Sequence, residues 1–492
     1  MLWTPLPPDA HYHDDGALTF HAYPGLIGGE RMRDFGKFVP AEGSSGQAMP
    51  LAEVLAAFSY ALDITEGQPE GHCVRASWIA AHIGRAIGLS GKDLAELHYT
   101  ILLKDLGCSS NAARLSQLYQ TDDRAFKREF KTMGSGMSGA LRFLFSHVAR
   151  AEPIGRRVGA IAQVLRNAGS IADEMIVTRC TRGSDIARQL RFSDRVADGI
   201  YALDELWDGS GRPCGLAGEA IPLFARLALL SQVAEVFHAR GGAMAARTEV
   251  QHRSGRWFDP ALVRAFLSVS RDEAFWAGLT SPMIDAKVLA LSFDGDVVFV
   301  DEDYMDDIAA AFGEVVDAKS PYTGGHSQRV ADYTVAVASA IGFPADRMRW
   351  LRRGALLHDI GKLGVSNAIL DKPAKLDDEE WVSMRNHAVH TQAILSRLTA
   401  FHDLAPIAAA HHERLDGTGY PLRLSGEEIC LPTRIITVAD FFDALVADRP
   451  YRAAMPAVDA LEIIGAEVGK AIDPDCFAAL SRLAADGLVA AH

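Results

Sequence analysis

Two tandem copies of one mostly α-helical domain are what this sequence predicts, on three observations. Apolar residues recur at three- and four-residue steps through most of the chain, the spacing of one helix face. A series of short landmarks occurs twice in the same order, the mark of an internal repeat. Strand character is confined to one brief stretch, which predicts a small β-hairpin at the junction between the copies.

Taken in order, residues 1–48 carry Pro5, Pro7, Pro8 and scattered histidines without periodicity, and form an extension of unassigned role. Helical period begins with Leu51, Val54, Leu55, Phe58 and Leu62 and continues through 74–107, 184–206 and 219–240. Asp259-Pro260 opens a further helix, because proline at the first helical position gives up an N–H that has no partner there. Val288–Phe293 and Asp296–Val300 flank Asp294-Gly295 and read as two short strands about a tight turn. This hairpin sits in a linker over 276–305, and the pattern is helical again from Tyr304.

The repeat sets the domain plan. Gly71-His72 and Gly325-His326 each stand 32 residues before a charged residue and an aspartate, Lys104-Asp105 and His358-Asp359. Asp208-Gly-Ser-Gly-Arg-Pro213 answers Asp416-Gly-Thr-Gly-Tyr-Pro421, and Asp259-Pro260 answers Asp473-Pro474. The offset is 254 at the first landmarks and 208 at the middle ones, so the first copy carries about 46 extra residues, between Cys108 and Arg179. The copies are therefore expected over 49–275, with a largely helical insertion near 109–178, and over 306–492.

Composition narrows the functional classes. A chain of 492 residues, 49% of them hydrophobic, has ample material for two cores. A net charge of −14 argues against broad binding to nucleic acid or to an anionic membrane, which reward clustered Lys and Arg. Six dispersed cysteines without CxxC spacing suit reduced thiols in a cytoplasmic protein. No apolar run reaches the roughly 18 residues of a membrane span, and no signal pattern opens the chain.

Chemistry concentrates in the second copy. His358-Asp359 lies in an apolar run, with Lys362 just beyond, and His326, His387, His411, His412 and Asp440 surround it in sequence. His13-Asp14 and His402-Asp403 lack such company. Five imidazoles and two carboxylates suit iron, manganese, zinc or nickel better than magnesium or calcium, which prefer oxygen shells; iron and manganese are favoured. A carboxylate can bridge two ions, so Asp359 is expected between one divalent cation on His326, His358 and Asp440 and another on His387, His411 and His412. Such a pair turns a shared water into a hydroxide at neutral pH and offsets phosphoryl charge. His390, three residues after His387, competes for that role, and His411-His412 could be a solvated pair.

These residues resemble the HD-GYP family of cyclic di-GMP phosphodiesterases. His358-Asp359-Ile-Gly-Lys362 is followed by His411-His412-Glu-Arg-Leu-Asp416-Gly-Thr-Gly-Tyr-Pro421, then by Asp440 and Asp448-Arg-Pro-Tyr-Arg452. The resemblance, over about 317–475, implies an HD-type fold and hydrolysis of cyclic di-GMP to linear pGpG, with further cleavage to GMP left open. It implies the seven residues above as metal ligands, Asp359 and Lys362 in catalysis, and Lys362, Tyr420, Arg449 and Arg452 as substrate contacts. Two arginines three apart could present forks to phosphate; ordinary surface pairing is their alternative, and packing that of Tyr420. Some members hold a third metal on a glutamate four residues before the first histidine. Here Tyr322 stands there, so two metals are expected.

In the first copy His72 and Asp105 remain. Lys104, Arg179, Leu203, Asp204 and Gln232 replace the other candidates, which excludes a dinuclear site. Lys104 and Arg179 are expected to pair with Asp105 in place of metal, against the alternative of drift to the surface. The chain is thus expected to be a phosphodiesterase with a degenerate first domain. Its rivals are the same chemistry on another cyclic dinucleotide, such as cyclic GMP-AMP, and a nucleotide-binding scaffold. A homodimer remains open.

Overall fold

The computed structural model describes residues 49–119, 121–130, 146, 154–293, 298–448 and 452–487. Residues 1–48 lie outside these. The architecture is α-helical, with one two-stranded sheet among the described residues. No helix among them is long and apolar enough to cross a membrane.

The two copies build matching frames. Helices His72–Ala86 and His326–Ala340 are each 15 residues long, and each follows a glycine with left-handed backbone, Gly71 at φ 76° and Gly325 at φ 70°. A side chain would disfavour that conformation, so glycine lets the chain turn sharply and places a histidine at the first helical residue. Asp63 and Asp317, at corresponding positions, accept the backbone N–H groups of Cys73 and Ser327 in the first turn of these helices. Later helices start on side-chain caps. Asp259 accepts from Ala261 N and Asp473 from Asp475 N, while Asp377 and Glu380 form a capping box that begins Asp378–Leu395.

The copies pack on each other through equivalent helices, Leu51–Thr65 and Glu302–Asp317. Phe58 stacks on Phe312, with ring centroids 3.9 Å apart and planes 15° from parallel. These two residues occupy the same position in the repeat, so a residue meets its own counterpart, as at a two-fold interface. One continuous hydrophobic core runs through both copies.

One expectation is corrected. The predicted hairpin over 288–300 is a helix, Ile284–Ser292, followed by a strand, Phe299–Val300, that pairs antiparallel with Met49–Pro50; Asp294–Val297, with the expected turn, lie outside the described residues. A short apolar run does not distinguish helix from strand by period alone, and the strand's partner lies far away in sequence. The described parts of the insertion are largely helical. Its last part is the front of a single 36-residue helix, Ile154–Gln189, which corresponds to the 18-residue Asp378–Leu395 of the second copy.

Another part of the insertion, helix Asp123–Phe130, ties the copies together. Asp123, wholly buried, accepts from Asn367 N at 2.9 Å and Ser366 Oγ at 3.2 Å, and lies 3.6 Å from the buried ammonium of Lys319. Arg124 donates to the carbonyls of Ile64 and Gly364, and Lys127 reaches back to Cys108 O and Glu66 of the first copy. One short helix thus joins the first copy to the segment that directly follows His358-Asp359. Burial pushes the Lys319 ammonium down to about 8 although Asp123 is beside it, because Lys127 and Arg124 add repulsion. Asp123 is held low despite its own burial, by Lys319, Lys127 and the Asn367 and Ser366 donors.

Asp123→Ala would strand Lys319 without a counter-ion and is expected to destabilise by about 3–5 kcal/mol, read as a lower thermal midpoint. Lys319→Met should restore most of this in the double variant. A folded pKa below the unfolded value means the unfolded chain binds this proton more tightly, so stability from Lys319 rises with pH above about 8. Lys319→Met should flatten that rise in parallel melts at stepped pH.

Candidate metal centre

Three helices and the turns that end two others bring the centre together. His326 opens its helix, and His358-Asp359 ends helix Met348–Leu357. His387 lies in Asp378–Leu395, His411-His412 follow Leu404–Ala409, and Asp440 lies in Leu431–Val446. The turn after Asp359 packs against the backbone of His387 so closely that a Cβ on Gly361 would stand 1.9 Å from the His387 carbonyl oxygen. Glycine is required there to bring the two ligand-bearing segments together. Thr391 secures the same contact, accepting from Gly361 N and donating to His358 O, each at 3.0 Å.

The imidazoles are fixed by their Nδ1 atoms. His358, His387 and His411 each donate Nδ1–H to the carbonyl three residues earlier, Ala355, Met384 and Ala408, at 2.6–2.7 Å. His326 directs Nδ1 to Asp443 at 2.6 Å, and Arg329 clamps that carboxylate from its other side. Such bonds set the tautomer and leave Nε2 as the inward lone pair. The Nε2 atoms of all four rings are buried and without a hydrogen-bond partner, as is Oδ1 of Asp359. Buried polar atoms are rarely left so, and a shell of unpaired nitrogen and carboxylate donors is what a borderline divalent metal needs.

Asp359 stands between two groups of donors. Its Oδ2 lies 3.4 Å from His326 Nε2 and 3.2 Å from His358 Nε2. Its Oδ1 lies 3.6 Å from both His387 Nε2 and His411 Nε2. Asp440 Oδ1 completes the first side, 3.4 Å from His326 and 3.7 Å from His358. His326, His358 and Asp440 thus form one compact donor set, and Asp359, His387, His411 and His412 another. The electrostatics agree. Burial pushes His387 to about 4, whereas for His358 burial is outweighed by the charges and hydrogen bonds of Asp359 and Asp440 together, which raise it to about 10. Lys362 and the nearby imidazoles hold Asp359 well below the carboxylate range despite its burial. In effect protons and Lys362 fill in for positive charge that this carboxylate pair demands.

The remaining sequence candidates are distributed as follows. Lys362 pairs with Asp359. Tyr420 packs on His412, centroids 4.8 Å apart, with Arg385 over its other surroundings at 5.7 Å. Arg449 lies outside the described residues. Arg452 lies beyond the helix that ends at Val446 and donates to the carbonyls of Ala444 and Ala453. His390 packs against Gly364 instead of joining either donor set, Tyr322 belongs to neither, and His402 is exposed. Residues without a sequence-derived role include Asp443, Arg329, Thr391 and Glu413. The last accepts from Leu422 N and Leu424 N to shape the Gly-Tyr-Pro loop. The repeat held a signal for three of them: His72, Arg75 and Glu235 form the same triad as His326, Arg329 and Asp443, and Glu205 holds the matching loop.

In the first copy Lys104 pairs with Asp105, as expected, but Arg179 pairs with Asp204 and not with Asp105. The replacement of a histidine by Asp204 supplied Arg179 with a nearer acid. Glu66, Asp105 and Cys108 also cluster there, yet Lys104 and Lys127 already provide cations and burial holds the Cys108 thiol up.

Comparison with known proteins follows the same lines. The HD domain family model matches residues 157–262 and 311–476, part of each copy and together more than half of the chain. The 3′3′-cGAMP-specific phosphodiesterase 3 of Vibrio cholerae is 51% identical over 434 residues, 88% of this chain and 94% of that protein. A crystal structure of a cyclic GMP-AMP specific phosphodiesterase from V. cholerae superposes with a TM-score of 0.61 at 45% identity, covering 89% of this chain and 98% of the other. The cyclic di-GMP phosphodiesterase response regulator RpfG of Xanthomonas campestris is 39% identical over 162 residues, only 32% of this chain and 43% of its own. Cyclic di-GMP, expected as substrate and partner from the motif, is therefore overturned: the relative that matches along nearly the whole chain is named for another dinucleotide. The motif concerns metal and phosphate and does not contain the reading of the bases. With a family match in each copy and a relative similar over 88% of the chain, this chain belongs to the HD-domain family of metal-dependent phosphohydrolases, as an HD-GYP phosphodiesterase.

Proposed function

We propose that the protein is a phosphodiesterase of 3′3′-cyclic GMP-AMP, hydrolysing it at a dinuclear centre in the second copy. The observation that carries the dinuclear reading is Asp359, whose two oxygens face separate sets of partnerless imidazole nitrogens. His326, His358 and Asp440 would hold one divalent cation, and His387, His411 and His412 the other, with Asp359 shared. The nitrogen-rich donor set favours iron or manganese over magnesium. Bound there, the two cations supply Lewis-acid charge and an activated water for attack on phosphorus. The substrate assignment rests on the relative similar along nearly the whole chain.

The chain's own residues do the rest. Asp443 and the three backbone carbonyls keep each imidazole in one tautomer and one orientation. Lys362, one turn from His358 and partly exposed, can swing between Asp359 and a phosphate oxygen as a point charge. Tyr420, packed on His412, would offer an aromatic face to a base. A scaffold with little turnover is the less supported reading, because a binding module gains nothing from a shell of buried, unpaired metal donors.

Side-by-side assays of one preparation should show faster turnover of cyclic GMP-AMP than of cyclic di-GMP; the reverse order would sink the substrate assignment. Chelation should abolish hydrolysis, with recovery on adding back iron or manganese and about two ions per chain by elemental analysis. Asp359→Ala should lose both ions and activity. Asp443→Ala, which frees the His326 ring, is expected to cost about 10–100-fold in metal affinity or turnover.

A further inference from the structure

Beside the metal centre lies a cation that the chain itself does not use. Arg385 is two residues before His387 on the same helix and half-buried. Its guanidinium carbon lies 5.5 Å from the centre of the Trp381 ring and 5.7 Å from that of Tyr420. Its Nε is buried and has no hydrogen-bond partner, and no carboxylate among the described residues pairs with it. The neighbouring acids are otherwise engaged: Glu380 takes Lys372, and Asp359 and Asp440 face the histidines. Removing a guanidinium from water without a partner is costly, and aromatic faces compensate for only part of that. Such a group is poised for an anion that arrives from outside.

The first copy provides an internal control. At the repeat offset Trp381, Arg385 and Tyr420 correspond to Asp173, Val177 and Arg212. Asp173 and Arg212 form an ion pair with each other, and Val177 is exposed. Where the metal ligands were lost, the free cation was lost too, and what charge remains is internally neutralised. Where the ligands are intact, the cation is free and flanked by aromatic rings.

Building on the function proposed above, we infer that Arg385, set between Trp381 and Tyr420, is the subsite for the second phosphodiester of the cyclic dinucleotide, the one not being cleaved. A cyclic dinucleotide carries two phosphates on one macrocycle. With one over the metal centre, the other needs a counter-charge nearby, and a planar guanidinium grips phosphate by two parallel hydrogen bonds. Tyr420 touches both ends of this arrangement, packed against His412 at 4.8 Å and against Arg385. Trp381, partly exposed beyond Arg385, leaves a face on which a purine can stack.

The test compares two substrates on the metal-loaded full chain. Bis(p-nitrophenyl) phosphate has one phosphodiester and no second anion. Arg385→Ala should raise KM for cyclic GMP-AMP by about ten- to a hundredfold, the loss of a charged hydrogen bond, with kcat less affected. It should leave kcat/KM for bis(p-nitrophenyl) phosphate within about twofold and metal content unchanged, and Arg385→Lys should regain part of the affinity. Equal losses on both substrates, a drop in bound metal, or no change on either would overturn the subsite. If the wild type cleaves bis(p-nitrophenyl) phosphate and cyclic di-GMP but not cyclic GMP-AMP, the substrate assignment falls, and the same comparison on cyclic di-GMP still decides the role of Arg385.

Discussion

The carboxylate of Asp359 is the constraint on which the rest of the structure depends. It is buried, negatively charged and ringed by imidazole nitrogens whose other ring atoms are already committed to carbonyls or to Asp443. A lone buried carboxylate is among the least tolerable groups in a protein interior, so the surrounding helices must deliver compensating charge. They do so by bringing donors from five separated stretches of sequence to one point. Gly325, Gly361 and Thr391 have no chemistry of their own, but without them the segments could not approach closely enough to make two compact donor sets.

The first copy shows the same constraint met in another way. Asp105 is retained, and Lys104 stands beside it as a covalently tethered cation. The Arg179–Asp204 pair fills the neighbouring position. The buried Asp105 thus has a cationic partner without a metal, and an ammonium does not polarise water and phosphate as a metal does. This copy is more than a relic. Through Phe58 on Phe312 it shares a core with the second copy, and through Asp123 and Arg124 it holds the turn that follows the His-Asp pair.

Substrate identity is set at a different level from catalysis. Residues that would grip metals and the scissile phosphate act on a phosphodiester, which every cyclic dinucleotide presents. Base recognition depends on residues outside that shared set. This is why similarity along nearly the full chain, and not the motif, moved the assignment from cyclic di-GMP to cyclic GMP-AMP.

The sequence alone determined the helical class, from apolar periodicity, and the duplicated plan, from landmarks at two fixed offsets. It also showed that the first copy carries Lys104, Arg179, Leu203, Asp204 and Gln232 where the second copy has candidate ligands. All of these are properties of residue type and spacing. Only the tertiary structure decided that Arg179 turns to Asp204 and that Arg452 donates to backbone carbonyls. It alone paired Phe299–Val300 with Met49–Pro50 and left Arg385 without a partner. Such facts depend on which atoms meet across hundreds of residues, and no local pattern encodes the direction in which a side chain will find its partner.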